Sequence, residues 1–249
     1  MLDVLQQSSG FFLCVIGLLG LCVGSFLNVV IYRLPIMMEK AWKQQATEIL
    51  HAQSTEATEK FNLVVPRSAC PHCNSPVGAM ENIPVLSYLV LRGRCRSCKA
   101  PITKRYPLIE AITALMSIWV AWKFGVSIET AAALILTWSL VALTVIDLDH
   151  QLLPDSITLP LIWLGLALAL VPVFADLRAS VIGALMGYLS LRGFYEVFRL
   201  ITGKEGMGHG DFKLFAACGA WLGWQSLLLI IVLSSLVGSI VGITMIPVS

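Results

Sequence analysis

Charge is what this chain has least of. Asp, Glu, Lys and Arg make up 13% of its 249 residues, against 57% hydrophobic residues, and the mean hydropathy is +0.81. That balance excludes an ordinary soluble domain and identifies an integral membrane protein. The formal net charge of +2 says little, because in a membrane protein the placement of the positive residues is what matters. No nucleic-acid partner is expected. Residues 1–10 hold Asp3 and no basic residue, so the positive n-region of a cleavable signal peptide is missing and the first apolar run is expected to be a retained span. The seven cysteines are an odd number, which argues against a simple disulfide framework. Cys14, Cys22 and Cys218 lie in apolar segments, where free cysteine acts as a small core residue. No internal repeat or low-complexity tract stands out.

What is present is a series of apolar runs that approach the roughly 20 residues a bilayer requires. They fall at about residues 10–31, 107–122, 128–146, 157–174 and 179–200. The stretch 212–248 is too long for one span and is expected to break near Gly223-Trp224-Gln225. The expectation is an all-α polytopic membrane protein with a bundle of about seven transmembrane helices. It divides into a first helix (1–32), a polar insert (33–106) and a helical bundle (107–249).

Eleven of the 17 Lys and Arg lie between Arg33 and Arg105, so the positive-inside rule makes the insert cytoplasmic. Alternating the spans from there puts the connections at residues 147–155 and 199–213 on the same cytoplasmic side. Residues 37–60, rich in Ala, Glu, Lys and Gln, read as one or two surface helices. Arg192 and Glu196, four apart, are expected to pair along a helix.

Cys70-Pro71-His72-Cys73 and Cys95-Arg96-Ser97-Cys98 are 21 residues apart. Two Cys-x-x-Cys knuckles at this separation mark a four-thiolate zinc site, since each knuckle brings two sulfurs to one tetrahedral ion. With Cys70, Cys73, Cys95 and Cys98 filling all four positions, the zinc would be structural. His72 is expected to be solvated.

Two polar stretches interrupt the oily remainder, Ile146-Asp147-Leu148-Asp149 with Leu153-Pro154-Asp155, and Gly206-Met207-Gly208-His209-Gly210-Asp211. Carboxylates at membrane helix ends are costly to dehydrate and therefore point to function. Two carboxyls sharing a proton suit peptide hydrolysis: the ionised member takes a proton from water, and the protonated one hydrogen-bonds the carbonyl oxygen and later protonates the nitrogen. The expected pair is Asp147 and Asp211, at a half-buried membrane edge. Asp147 is preferred because it directly follows the apolar run, while Asp155 reads as a helix N-cap. The glycines before Asp211 are expected to supply backbone freedom and close approach of a substrate strand. The alternative for this motif is a flexible connection with a helix-capping Asp211. His150 and His209 read as solvated or hydrogen-bonded positions.

These segments, together with Gly24-Ser25-Phe26-Leu27-Asn28-Val29, Asn82-Ile83-Pro84-Val85-Leu86-Ser87-Tyr88, Arg92-Gly93-Arg94-Cys95 and Arg105-Tyr106-Pro107-Leu108-Ile109-Glu110, resemble the type IV prepilin peptidases. These are bacterial inner-membrane leader peptidases, and intramembrane aspartyl proteases by type. The resemblance implies that Asp147 and Asp211 are the catalytic aspartates and that the cysteines are the zinc-binding tetrad. It implies prepilin and pseudopilin substrates of type IV pili and type II secretion, cut on the cytoplasmic side at a Gly-Phe type junction. It also implies methylation of the new N-terminus from S-adenosylmethionine.

No glycine-rich strand-to-helix loop for that donor is visible, so methyl transfer rests on the resemblance alone. The insert around Gly93 is then the expected donor-binding region, the alternative being that Arg92 and Arg94 face lipid phosphates. Gly24, Ser25 and Asn28 alternatively serve only close helix packing. The family pattern continues into an eighth helix, which is expected to be missing here. A carboxylate-dependent transporter and an inactive truncated member are the competing functions.

Overall fold

The computed structural model describes residues 8–50 and 61–245. Among the described residues, seven long helices follow the seven apolar runs: α1 (Ser9–Ile49), α2 (Arg105–Phe124), α3 (Ile128–His150), α4 (Asp155–Leu168), α5 (Leu177–Thr202), α6 (His209–Leu222) and α7 (Leu227–Met245). The insert carries a short 3-10 turn, Ala79–Asn82, and a short α-helical turn, Leu86–Val90. Among the described residues there is no strand, only two isolated antiparallel bridges.

Helix ends follow local chemistry. Ser127 and Asp176 accept the Thr130 and Ala179 amides at the starts of α3 and α5, satisfying donors that the first turn leaves without partners. Gly203, at φ 68°, stops α5, and Gly223, at φ 77°, stops α6 at the expected break. The fourth run ends as a helix at Leu168, not near 174, because Pro172 cannot donate the amide that would continue it.

Among the described residues, four helical stretches are long and apolar enough to cross a membrane: Ser9–Ile49, Arg105–Phe124, Ile128–His150 and Trp224–Thr244. Helices α4 and α6 have 14 residues each. They rise only about 21 Å, less than the ~30 Å hydrocarbon core.

One expectation fails on α1. Residues from Met37 onward do not start a separate surface helix; the first helix runs unbroken through Pro35 to Ile49. A proline inside a helix removes one amide bond and crowds the preceding turn. Here Pro35 is buried, and Arg33, two residues before it and also buried, donates to the Asn62 carbonyl at 3.0 Å while lying 5.8 Å from the Phe61 ring. The rest of that stretch, residues 51–60, and the C-terminal Pro247-Val248-Ser249 lie outside the described residues.

The chain divides into two compact units, Met1–Gln151 and Leu152–Ser249. In the first, α1 lies along α2 at backbone distance. A Cβ on Gly20 would meet Ala114 Cα at 2.8 Å, and one on Gly24 would meet Glu110 Cα at 2.7 Å. Small residues permit this approach where lipid offers no hydrophobic drive. Phe12, Ile16, Val120, Ala121 and Leu134 form the apolar core. The Trp138 indole N–H donates to Ser117 Oγ at 2.9 Å, tying α3 to α2.

In the second unit α6 is the central element, packed by α4 and α5. Trp221 is buried and donates to the Leu161 carbonyl at 2.8 Å, and Ser180 donates to the Ala220 carbonyl. Gly183 and Gly219 meet backbone to backbone, so that a Cβ on Gly183 would sit 2.3 Å from the Gly219 oxygen. Gly183→Val is therefore expected to cost about 3 kcal/mol or more, because the obstacle is main chain and cannot rotate away. Gly193→Val, where nothing lies within 4 Å, is the control. Thermal unfolding in detergent checks this, with a drop of roughly 10 °C expected for the first and little change for the second.

Candidate active site and zinc-binding insert

Three carboxylates of the first polar stretch meet three different fates. Asp149, in the last turn of α3, is held by the Arg105 guanidinium from the start of α2. Asp155, in the first turn of α4, receives Lys213 Nζ on both oxygens at 2.7 Å. Asp147 makes no side-chain hydrogen bond or ion pair with the described residues. It is exposed near the C-terminal end of α3, not half-buried as expected. Its backbone carbonyl caps the helix by accepting the Gln151 amide at 2.8 Å. Asp155 is not the expected N-cap either: Pro154 holds that position without a side-chain bond, and Asp155 is the first helical residue, where its charge complements the helix dipole.

Asp211 is the third residue of α6, whose N-cap is Gly208. Its amide donates to the Gly208 carbonyl at 3.2 Å, so it is a first-turn acid rather than the capping residue. The glycines before it do not use the expected backbone freedom, since Gly206, Gly208 and Gly210 do not adopt the left-handed conformations found at Gly93, Gly125, Gly203 and Gly223. Two of them are close-packing residues: a Cβ on Gly210 would meet Leu153 Cβ at 2.7 Å, and one on Gly206 would meet the Phe198 ring at 2.7 Å. With the Lys213–Asp155 pair, Gly210 seats the start of α6 against the start of α4. His209 is exposed and packs its ring on Tyr195 and Phe212 at 5.5 and 5.6 Å. Arg192 lies 3.9 Å from Glu196 and donates to the Tyr188 hydroxyl at 3.0 Å.

In the insert the four thiols of Cys70, Cys73, Cys95 and Cys98 lie within 4.8 Å of one another. Cys70 Sγ and Cys98 Sγ are 3.8 Å apart, far beyond a disulfide bond. A tetrahedral ion with ~2.3 Å zinc–sulfur bonds needs sulfur spacings of about 3.8 Å, so the donor set fits zinc in type, number and spacing. His72 is exposed and outside the cluster.

The two knuckles are copies of one another, a repeat missed in the sequence. Cys70 N–H donates to Ser75 O as Cys95 N–H does to Ala100 O, and Asn74 N–H donates to Cys70 O as Lys99 N–H does to Cys95 O. Asn74 and Lys99 share the left-handed conformation, and the bridges Ala69–Pro76 and Arg94–Pro101 close each loop. The shared pattern Cys-x-x-Cys-x-x-Pro was the available signal. Within the first knuckle the His72 and Cys73 amides point at the Cys70 sulfur and hold that thiol down to about 6. The Ala100 amide lowers Cys98, but burial and the three neighbouring thiols outweigh it and push Cys98 up to about 11.

The motifs around the insert converge on Glu110, to which sequence reasoning gave no role. Its Oε2 accepts the Val85 amide at 2.7 Å, Ser25 bonds the same carboxylate, and Gly24 lies against its Cα. Asn28 Nδ2 donates to the Tyr106 carbonyl at 3.2 Å. The signal was an acid inside an apolar run. Gly93, at φ 67°, is buried beneath Tyr88, whose hydroxyl would lie 2.8 Å from an added Cβ.

Helical membrane spans, helix-end carboxylates and a four-cysteine insert define a class, the polytopic helical membrane protein with a metal-binding insert. The comparisons agree. A family model described as Bacterial Peptidase A24 N-terminal domain matches residues 18–124, and one described as Type IV leader peptidase family matches residues 134–243. A protein of Stutzerimonas stutzeri described as Prepilin leader peptidase/N-methyltransferase is 55% identical over 94% of this chain and 81% of its own length. Proteins of the same description from Aeromonas hydrophila and Legionella pneumophila are 53% and 49% identical, over 99% and 94% of this chain and 85% and 81% of their own lengths. No solved structure matches. The chain belongs to the type IV leader peptidase family.

Proposed function

We propose that this protein is a bifunctional enzyme of the bacterial inner membrane that removes the leader of type IV prepilins and pseudopilins and then methylates the new N-terminal residue. Asp147 and Asp211 are the catalytic pair. The observation that supports this choice is the commitment of its competitors: Arg105 neutralises Asp149 and Lys213 neutralises Asp155, which leaves Asp147 as the carboxylate of its stretch able to handle a proton. One ionised member of the pair draws a proton from the attacking water, and the protonated member hydrogen-bonds the scissile carbonyl and then delivers its proton to the leaving nitrogen. The concentration of Lys and Arg in the insert supports a cytoplasmic insert and a cytoplasmic-face site.

Zinc held by the four cysteines is structural, since no coordination position stays open to substrate. S-adenosylmethionine, when bound, supplies an electrophilic methyl group. Gly93 serves that activity through its backbone, because the space a side chain would need is taken by Tyr88.

The test is the purified, zinc-loaded protein in lipid nanodiscs, incubated with a prepilin and isotope-labelled S-adenosylmethionine and read by mass spectrometry. The expected product lacks its leader and carries one labelled methyl group. An intact prepilin overturns the peptidase, and a shortened, unlabelled one overturns the methyltransferase alone. Carboxylate-dependent ion uptake into proteoliposomes without cleavage would favour a transporter.

A further inference from the structure

The helical turn Leu86–Val90 wears its apolar side chains on the outside. Leu86, Leu89 and Val90, at positions i, i+3 and i+4 of one face, are 60%, 63% and 81% exposed. Met80 and Ile83 are exposed just before them. Directly after the turn, Arg92, Arg94 and Lys99 line one open depression of about 480 Å³ with Val90 and Leu91. None of these three cations is in an ion pair with the described residues, whereas the neighbouring Arg96 lies 3.5 Å from Glu81.

A separate contact ties the turn to α2. The Val85 amide, immediately before the turn, donates to Glu110 Oε2 at 2.7 Å. Val85 itself sits at φ 57°, a conformation that β-branched residues avoid. Glu110 lies five residues into α2, about 8 Å along the axis from its first residue. Tyr106, Leu108 and Ile112 of the same helix are exposed around that level, as lipid-facing side chains are. The turn is thus pinned beside the first turns of a helix long and apolar enough to cross a membrane.

We propose that Leu86–Val90 is an interfacial foot. Leu86, Leu89 and Val90 enter the headgroup region of the leaflet on the insert's side, and Arg92, Arg94 and Lys99 bind the phosphates of anionic phospholipid there. An apolar face bordered by cations is the pattern of segments that lie in the membrane interface, and each cation near an anionic leaflet adds to the attraction. The foot fixes the zinc-binding insert against the bilayer at a second point besides the ends of α1 and α2, whichever catalytic reading holds.

The test replaces Leu89 with the photo-cross-linking residue p-benzoylphenylalanine in the full, zinc-loaded chain. Nanodiscs of phosphatidylglycerol or of phosphatidylcholine are irradiated and the adducts identified by mass spectrometry. Lipid adducts are expected, roughly fivefold or more abundant with phosphatidylglycerol, and R92E/R94E/K99E is expected to abolish that preference while the zinc content stays at the wild-type level. Adducts to a second protein chain, no lipid adduct, or equal yields from the two lipids would each overturn the proposal. The comparison of the two lipids decides by itself if the triple variant fails to bind zinc.

Discussion

Asp147→Asn and Asp211→Asn are each expected to lower the rate of prepilin leader cleavage by roughly three orders of magnitude, the usual scale for losing a positioned general acid or base. Asparagine keeps the size and hydrogen-bonding reach of the side chain but can neither take nor release the proton that amide hydrolysis requires. Asp149→Asn and Asp155→Asn supply the contrast. Each removes one member of a partly exposed ion pair, with Arg105 or Lys213, and such pairs contribute little to stability. These two variants are expected to keep cleavage within about tenfold of wild type. Single-turnover cleavage in nanodiscs, with zinc content as the check on folding, separates the two groups. Equal losses across all four positions would mean that no pair is special, and wild-type rates in the first two would remove them from the chemistry.

The reasons for that contrast could not be read along the chain. Asp147 could be favoured over Asp149 and Asp155 only by its place next to an apolar run; the partners that neutralise its rivals are 44 and 58 residues away. Helix existence was legible because apolar runs of bilayer length have few other solutions, and the four cysteines were legible because knuckle spacing is a local property of the metal site. What local rules misjudged is instructive. Pro35 should end a helix, yet α1 continues through it, and Arg33 beside it is held by Asn62, 29 residues on. The glycines before Asp211 suggested unusual backbone, yet Gly210 and Gly206 are needed for contact with Leu153 and Phe198. Glu110 was visible as an acid in an apolar run, but its partner Val85 is 25 residues earlier. In each case a contact between distant residues, absent from any window of sequence, decided the outcome.

Removing zinc is expected to unfold the insert and leave the helices in place. Of residues 61–104 whose side chains are described, only Gly93 is buried, so no hydrophobic core holds this segment. Its fixed points are the two knuckles, the Ser75–Ser97 hydroxyl contact and the anchors at Arg33 and Glu110. Zinc bound by four thiolates supplies roughly 10 to 16 kcal/mol in small finger modules, more than those few hydrogen bonds can replace at about 1 kcal/mol each. Cys95→Ser, or a strong chelator on wild type, is therefore expected to make the insert sensitive to limited proteolysis at once. Cys218→Ser, in α6 and outside the cluster, is expected to change nothing in that assay. Because Asp147 and Asp211 lie on α3 and α6 rather than in the insert, methyl transfer should be lost before leader cleavage as zinc is withdrawn. An insert that stays protease-resistant without zinc would show that the knuckles fold on their hydrogen bonds alone, and simultaneous loss of both activities would place the insert's integrity upstream of the carboxylate pair as well.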